Sequence, residues 1–230
     1  MKYNDDEIND LDYEIALKRD KRTFLEYYIS LLKTSHSFIN SFLFNNDYNS
    51  KIIKIDLFFI NFTLFYVINT LFFNDDTMHK IYESKGSFDL ENQLPITIYS
   101  SLISIPLETL LQCLALSNDA IINFKQHKNI LNMNKTSNSL VFKLKIKFVF
   151  YFIISFLLLI LFWYYIAIFG AIYKNTQYHL LKDTLISFGI SMVTPFGYYL
   201  LPSLFRILSL SNAQKNRKYL YIFSKILLIF

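Results

Sequence analysis

Hydrophobic positions in this chain fall in long runs parted by polar connectors. Four runs are long enough to cross a bilayer, which takes about 20 apolar residues in a helix. They cover residues 52–73 (IIKIDLFFINFTLFYVINTLFF), 94–116 (LPITIYSSLISIPLETLLQCLAL), 148–173 (FVFYFIISFLLLILFWYYIAIFGAIY) and 184–208 (TLISFGISMVTPFGYYLLPSLFRIL). Buried helices of water-soluble proteins seldom run so far with so few charges. Two shorter segments differ. Residues 23–44 (TFLEYYISLLKTSHSFINSFLF) open with Thr23 and Glu26 at capping-box spacing. Phe24, Leu25, Tyr28, Leu31, Leu32, Phe38, Ile39 and Phe42 then keep a helical period that Glu26, Lys33, His36 and Asn40 interrupt. Such a helix suits the inner leaflet surface better than a crossing. The tail YLYIFSKILLIF is too short to span and contains Lys225, so it too reads as interfacial.

The pattern predicts an all-α protein: an integral membrane bundle of four transmembrane helices with an N-terminal amphipathic interfacial helix. Residues 1–22 form an acidic, hydrophilic cytosolic N-terminus, and 23–44 the inner-leaflet helix. Residues 52–210 form the four-span domain, and 211–230 a basic cytosolic or interfacial tail. The opening MKYNDDEINDLDYEIALKRD lacks the order of a cleavable signal peptide. The stretch NILNMNKTSNS between the second and third spans reads as a flexible linker.

Charge gives the orientation, since Lys and Arg are retained on the cytoplasmic side. Eight lie between Lys2 and Lys54, six in 117–147 and five from Arg206 onward, while the other two connectors hold Lys80, Lys85, Lys174 and Lys182. Nineteen against four places both termini in the cytosol, with plasma membrane and endomembrane left open. The net charge of +5 therefore lies beside apolar segments, as membrane orientation requires, and nucleic acid is not an expected partner. The partners expected are the lipid bilayer and a homo-oligomer or larger membrane complex. Phe, Tyr, Ile, Asn and Lys dominate the composition, as in chains from A/T-rich genomes, so single aromatics carry little information. Trp163, Tyr164, Tyr165 and Tyr173 at the outer end of the third span read as an interfacial belt.

The informative residues are the polar ones inside the runs. Glu108 in the second span costs about 2.5–3.5 kcal/mol on insertion scales. The eleven Leu and Ile of that span return roughly 3–6 kcal/mol. Pro95, Pro106 and Gln112 subtract from that return, so the helix depends on its neighbours and Glu108 faces the bundle. Asn61 matches it in depth and Gln112 lies one turn away. The expectation is a Glu108 hydrogen-bonded to one of these, and a protonated carboxyl is the less costly form to bury. Asp56 and Arg206 match in depth as well, which suggests an ion pair between the first and fourth spans. Asp56, Asn61 and Glu108 can be read as an ion or proton path, or as interhelical polar contacts together with Gln112 and Arg206. In the fourth span Gly189, Pro195, Gly197 and Pro202 predict a kink, because proline removes an amide donor.

Catalysis finds no support. There is no phosphate-binding glycine loop, HExxH or nucleophile elbow. The single cysteine, Cys113, excludes an internal disulfide and a multi-cysteine metal site. The four histidines lie in different segments, and DDTMH (75–79) lacks further metal ligands, so neither cofactor nor metal is expected. The glycosylation sequons at Asn61 and Asn134 fall within a span and in the cytosol respectively.

The phrases INDLDYEIALKRDKRTFLEYYISLLKTSH, NDYNSKIIKI, LFFNDDTMHKIYESKGSF, ALSNDAI and YKNTQYHLLKDTLISFGISMVTPFGYYLLPSLFRI resemble a C-terminal membrane module of multi-pass transmembrane proteins of ciliates and other protists. The likeness covers nearly the whole chain, although ENQLPITIYSS stands where a more aromatic run is expected. It implies a short member of that family or the C-terminal part of a longer chain, and brings no activity and no catalytic residues. The function expected is a non-enzymatic membrane anchoring or assembly module. The alternative is a cation or proton channel or transporter, and the weaker one an enzyme acting on lipid.

Overall fold

The computed structural model describes residues 4–73, 75–83, 90–126, 133–174, 177–211 and 217–228; they are helical with no strand among them. The helices are, in order, α1 (Asp5–Asn9), α2 (Tyr13–Arg19), α3 (Phe24–Ser35), α4 (Lys51–Thr70), α5 (Asp75–Glu83), α6 (Leu90–Ala115), α7 (Asn118–Gln126), α8 (Met133–Ile172), α9 (Gln177–Tyr198), α10 (Leu200–Leu210) and α11 (Lys218–Leu227). A π-helical turn, Ile39–Leu43, follows α3. Among the described residues four helical stretches are long and apolar enough to cross a membrane: Lys51–Thr70, Pro95–Ala115, Ser137–Ile172 and Gln177–Leu210. Each contains most of one predicted run.

Several boundaries differ from expectation for local reasons. The N-terminal segment, read as merely hydrophilic, holds two short helices. Asn4 caps the first by a reciprocal box with Glu7. Helix α3 starts with the predicted Thr23–Glu26 box but stops at Ser35. His36 leaves the helical region (φ −75°, ψ 118°), and its ring meets two backbone groups: Nε2 donates to the Met192 carbonyl (2.8 Å) and Nδ1 accepts from the Ile39 amide (3.5 Å). The part of the Asn/Ser-rich linker from Met133 on belongs to α8, which reaches 40 residues; residues 129–132 lie outside the described set. The fourth apolar run lies in α9 and α10, which meet at Tyr199; its backbone stays in the helical region (φ −69°, ψ −8°) and its amide bonds the Pro195 carbonyl (2.9 Å). Pro195 and Pro202 lack the amides that would bond Ser191 and Tyr198. Tyr28 donates to the Phe196 carbonyl (2.8 Å) within the same stretch.

The chain divides into two compact units. One comprises Met1–Lys51 and Met192–Phe230. Its small core gathers Leu11, Tyr13, Ala16 and Tyr221. Phe205 of α10 packs edge-on against Phe223 of α11 (5.0 Å between rings). The other unit is Ile52–Ser191, organised around α4. Half of the apolar window of α4 is buried, against 17% for that of α8, so α4 is the central helix and α8 a peripheral one. Ile53, Leu57 and Ile60 cluster with Leu111 and Ala115 of α6 and Tyr151 of α8. Further along, Leu64 and Ile68 meet Phe162. Phe58, Phe62 and Phe65 surround Phe188 of α9, with ring centroids 4.9–5.8 Å apart.

Candidate functional site

The most elaborate polar arrangement lies in the first unit, around Arg206 on α10. Its side chain is fully buried. Nε and Nη2 donate to Asp20 Oδ2 (3.1 and 3.0 Å), Nη1 to the Asn9 carbonyl (2.9 Å) and Nη2 also to the Ile8 carbonyl (2.8 Å). The rings of Tyr27 and Tyr221 lie 4.7 and 4.8 Å from the guanidinium carbon, so they cover the cation with π-faces. Asp20 is shared. Arg22 binds it bidentately (2.8 and 2.9 Å) and also donates to Asn9 Oδ1 and Ser30 Oγ (both 2.9 Å). Burial pushes the Asp20 carboxyl up, but Arg22 and Arg206 outweigh it and hold it below the usual carboxylate range. Burial raises the Tyr27 hydroxyl and pushes that of Tyr221 up to about 12. Tyr221 donates to the Leu11 carbonyl (2.5 Å) and Lys225 to that of Asp10 (3.0 Å). Every guanidinium nitrogen of Arg206 faces a fixed protein acceptor. The cluster therefore ties the N-terminal segment to α10 and α11, and leaves the buried Tyr27 hydroxyl without an acceptor.

The expected Asp56–Arg206 ion pair is replaced by two other contacts. Asp20 approaches Arg206 from the N-terminal segment, while Asp56 accepts from the Tyr151 hydroxyl (2.8 Å). Glu108 is half-buried, with Ser104 of its own helix as hydrogen-bond neighbour. Gln112 is exposed, and Asn61 is buried with no partner for its Oδ1. Of the residues assigned to a kink, Gly189 and Gly197 stand in open space on α9, Pro195 lies inside α9, and Pro202 is buried at the start of α10.

Polar contacts that went unpredicted join three helices of the second unit. Asn69 on α4 donates through Nδ2 to Thr184 Oγ1 on α9 (2.9 Å) and accepts from Ser100 Oγ on α6 (3.3 Å), and all three side chains are fully buried. Their signal in the sequence is only an asparagine, a serine and a threonine in apolar runs, which gives no pairing. A cleft of about 400 Å³ is lined by Thr63, Phe156, Leu159, Ile160, Trp163 and Ile166. Its one hydroxyl, on Thr63, is spent on the Phe59 carbonyl (2.8 Å). Among the described residues no three His, Cys, Asp or Glu side chains gather as a metal site.

Comparison with known proteins finds no family model, no curated protein and no solved structure that matches this chain.

Proposed function

We propose that this chain is a multi-pass integral membrane protein acting as a non-enzymatic anchoring and assembly module, with both termini in the cytosol. The observation that carries the reading is the outward face of the long apolar helices. Phe156, Leu157, Trp163, Val193 and Leu201 are each at least half exposed, while the buried Asn69, Thr184 and Ser100 bond one another between helices. Water penalises so much exposed apolar surface; hydrocarbon does not. The first unit follows the same rule. Helix α11 turns Tyr221 and Ser224 inward and Tyr219, Ile222, Phe223 and Ile226 outward, and Leu25 and Ile29 of α3 face outward as well. These outward stripes, interleaved with Lys218, Lys225 and Lys33, suit the interfacial zone of the inner leaflet. Kinship with the protist membrane modules named above belongs to the same proposal.

The test is topological. With Cys113 replaced by Ser, single cysteines in the 117–147 connector should react with an impermeant maleimide only after the cytoplasmic face is opened, and those in the 75–90 connector before. The chain should stay with membranes in alkaline carbonate. Release by carbonate, or the opposite labelling, would sink the proposal.

A second reading, a proton or cation conductor, is favoured by one observation. The inward stripe of α6 is polar over three turns, with Thr97, Ser100 and Ser104 buried and Glu108 following. Ion flux in vesicles that Glu108→Gln abolishes would establish it, whereas absence of flux leaves the anchoring role.

A further inference from the structure

Asn61 is 8% exposed, and its Oδ1 accepts no hydrogen bond from the protein. An acceptor buried without a partner forfeits its bond to water and gains nothing in return. The helix register shows which group stands at its level. Helices α4 and α6 run antiparallel, because the start of α4 clusters with the end of α6, while Asn69 near the end of α4 is bonded to Ser100. Asn61 lies eight residues before Asn69, and Glu108 eight after Ser100. At 1.5 Å per residue both stand about 12 Å from that bond, on the same side of it. The faces correspond as well. On α6, Glu108 continues the buried series Thr97, Ser100, Ser104 and leads to Leu111 and Ala115 at spacings of three and four. On α4, Asn61 stands beside Leu57 and Leu64, one turn before and almost one turn after it, and both are buried against the other helices of the unit. The other acid and the other amide considered for this level are elsewhere: Asp56 is held by Tyr151 and Gln112 is exposed.

We propose that Glu108 and Asn61 form a proton-binding site between the first two spans, in which the Glu108 carboxyl takes up a proton and donates that O–H to Asn61 Oδ1. A neutral carboxyl paired with an amide places no net charge in hydrocarbon, whereas a carboxylate would. The side-chain oxygens at this level, from Glu108, Asn61, Ser104 and Ser155 of α8, whose buried hydroxyl also lacks a partner, are still fewer than the six or more that a dehydrated hard cation takes. The ligand is therefore the proton itself. The site goes beyond the anchoring role and needs only that the spans lie in lipid.

Infrared spectroscopy of the full chain in lipid nanodiscs at neutral pH tests the proposal, since a protonated carboxyl has a carbonyl stretch well separated from that of a carboxylate. The difference spectrum between the parent chain and Glu108→Gln should contain one such band, and Asn61→Leu should shift it to higher frequency as the hydrogen bond is lost. Asn61→Leu also removes an unmatched buried acceptor, so the variant should fold at least as well, which gel filtration checks. No protonated band assignable to Glu108, or a band that Asn61→Leu leaves in place, would overturn the proposal. So would a band removed by sodium or potassium chloride, since a metal ion would then be the ligand. Failure of the membrane reading itself would be seen separately, as release of the chain by carbonate.

Discussion

Arg206 illustrates what a buried cation needs in a chain of this kind. A guanidinium is tolerable out of water only when acceptors meet its N–H groups and a counter-charge lies beside it. Four hydrogen bonds, to Asp20 and the carbonyls of Ile8 and Asn9, and two tyrosine faces supply this for Arg206. Truncating it as Arg206→Ala should therefore cost about 3–5 kcal/mol, the usual penalty for stranding a buried partner. Lys225→Ala should cost no more than about 1 kcal/mol, because its ion pair with Asp10 is long (3.6 Å) and the Asp10 carboxylate is exposed. Folded yield by gel filtration in detergent compares them directly, and equal losses would refute the assignment. Two pH limbs follow from the same cluster. The Asp20 carboxyl is depressed on folding, so its stabilisation is present above the unfolded value near 3.9 and is lost as pH falls through the lower folded value. The Tyr221 hydroxyl is raised, so its contribution is complete below about 10 and disappears as pH climbs toward about 12. Thermal unfolding in detergent should show both declines, and Tyr221→Phe should flatten only the alkaline one. Arg206 was legible in the sequence as a charge needing a partner, but the partner was not. Depth within a span pointed to Asp56, whereas the choice depends on an N-terminal segment whose Asn9, Asp20 and Tyr27 look like ordinary surface residues.

At the scale of elements, the helices were readable because their signals are local. The Thr23–Glu26 box fixes the start of α3, and Thr23→Ala should lower its stability by about 0.5–2 kcal/mol, followed by hydrogen exchange in residues 24–30. The end of α3 was not readable, since His36 leaves the helix to bond the Met192 carbonyl, a group distant in the chain. The junction of α4, α6 and α9 was equally hidden, because Ser, Thr and Asn within apolar runs specify no pairing until register is known. A double-mutant cycle on Asn69→Ala and Thr184→Ala should give a coupling near 0.6 kcal/mol and no more than about 1.7, as for interhelical hydrogen bonds inside membranes. A coupling indistinguishable from zero would mean that the bond contributes nothing to helix association. The expected kink at Gly189, Pro195, Gly197 and Pro202 falls where α9 meets α10, and there the backbone of Tyr199 stays helical, with its amide bonded to the Pro195 carbonyl.

At the scale of the whole molecule, four helices of membrane-spanning length and apolarity were evident from runs of residues alone, because hydrocarbon imposes a length and a composition that few other environments share. The outward faces make a simple optical prediction. Trp163 is the only tryptophan and is 77% exposed on α8. In vesicles its emission should be blue-shifted and quenched by brominated acyl chains; emission unmoved by brominated lipid would place it in water. Helix α8 has a consequence of another kind. Its 40 residues measure about 60 Å, twice the thickness of a bilayer core. It contains no proline, and its one glycine, Gly170, sits in the last turn. Helix α6 carries Pro95 and Pro106 within its length. Mechanically the second unit thus sets a mast without an internal proline beside a spar that lacks two of its ladder bonds, so a load shared by the pair should bend α6 before α8.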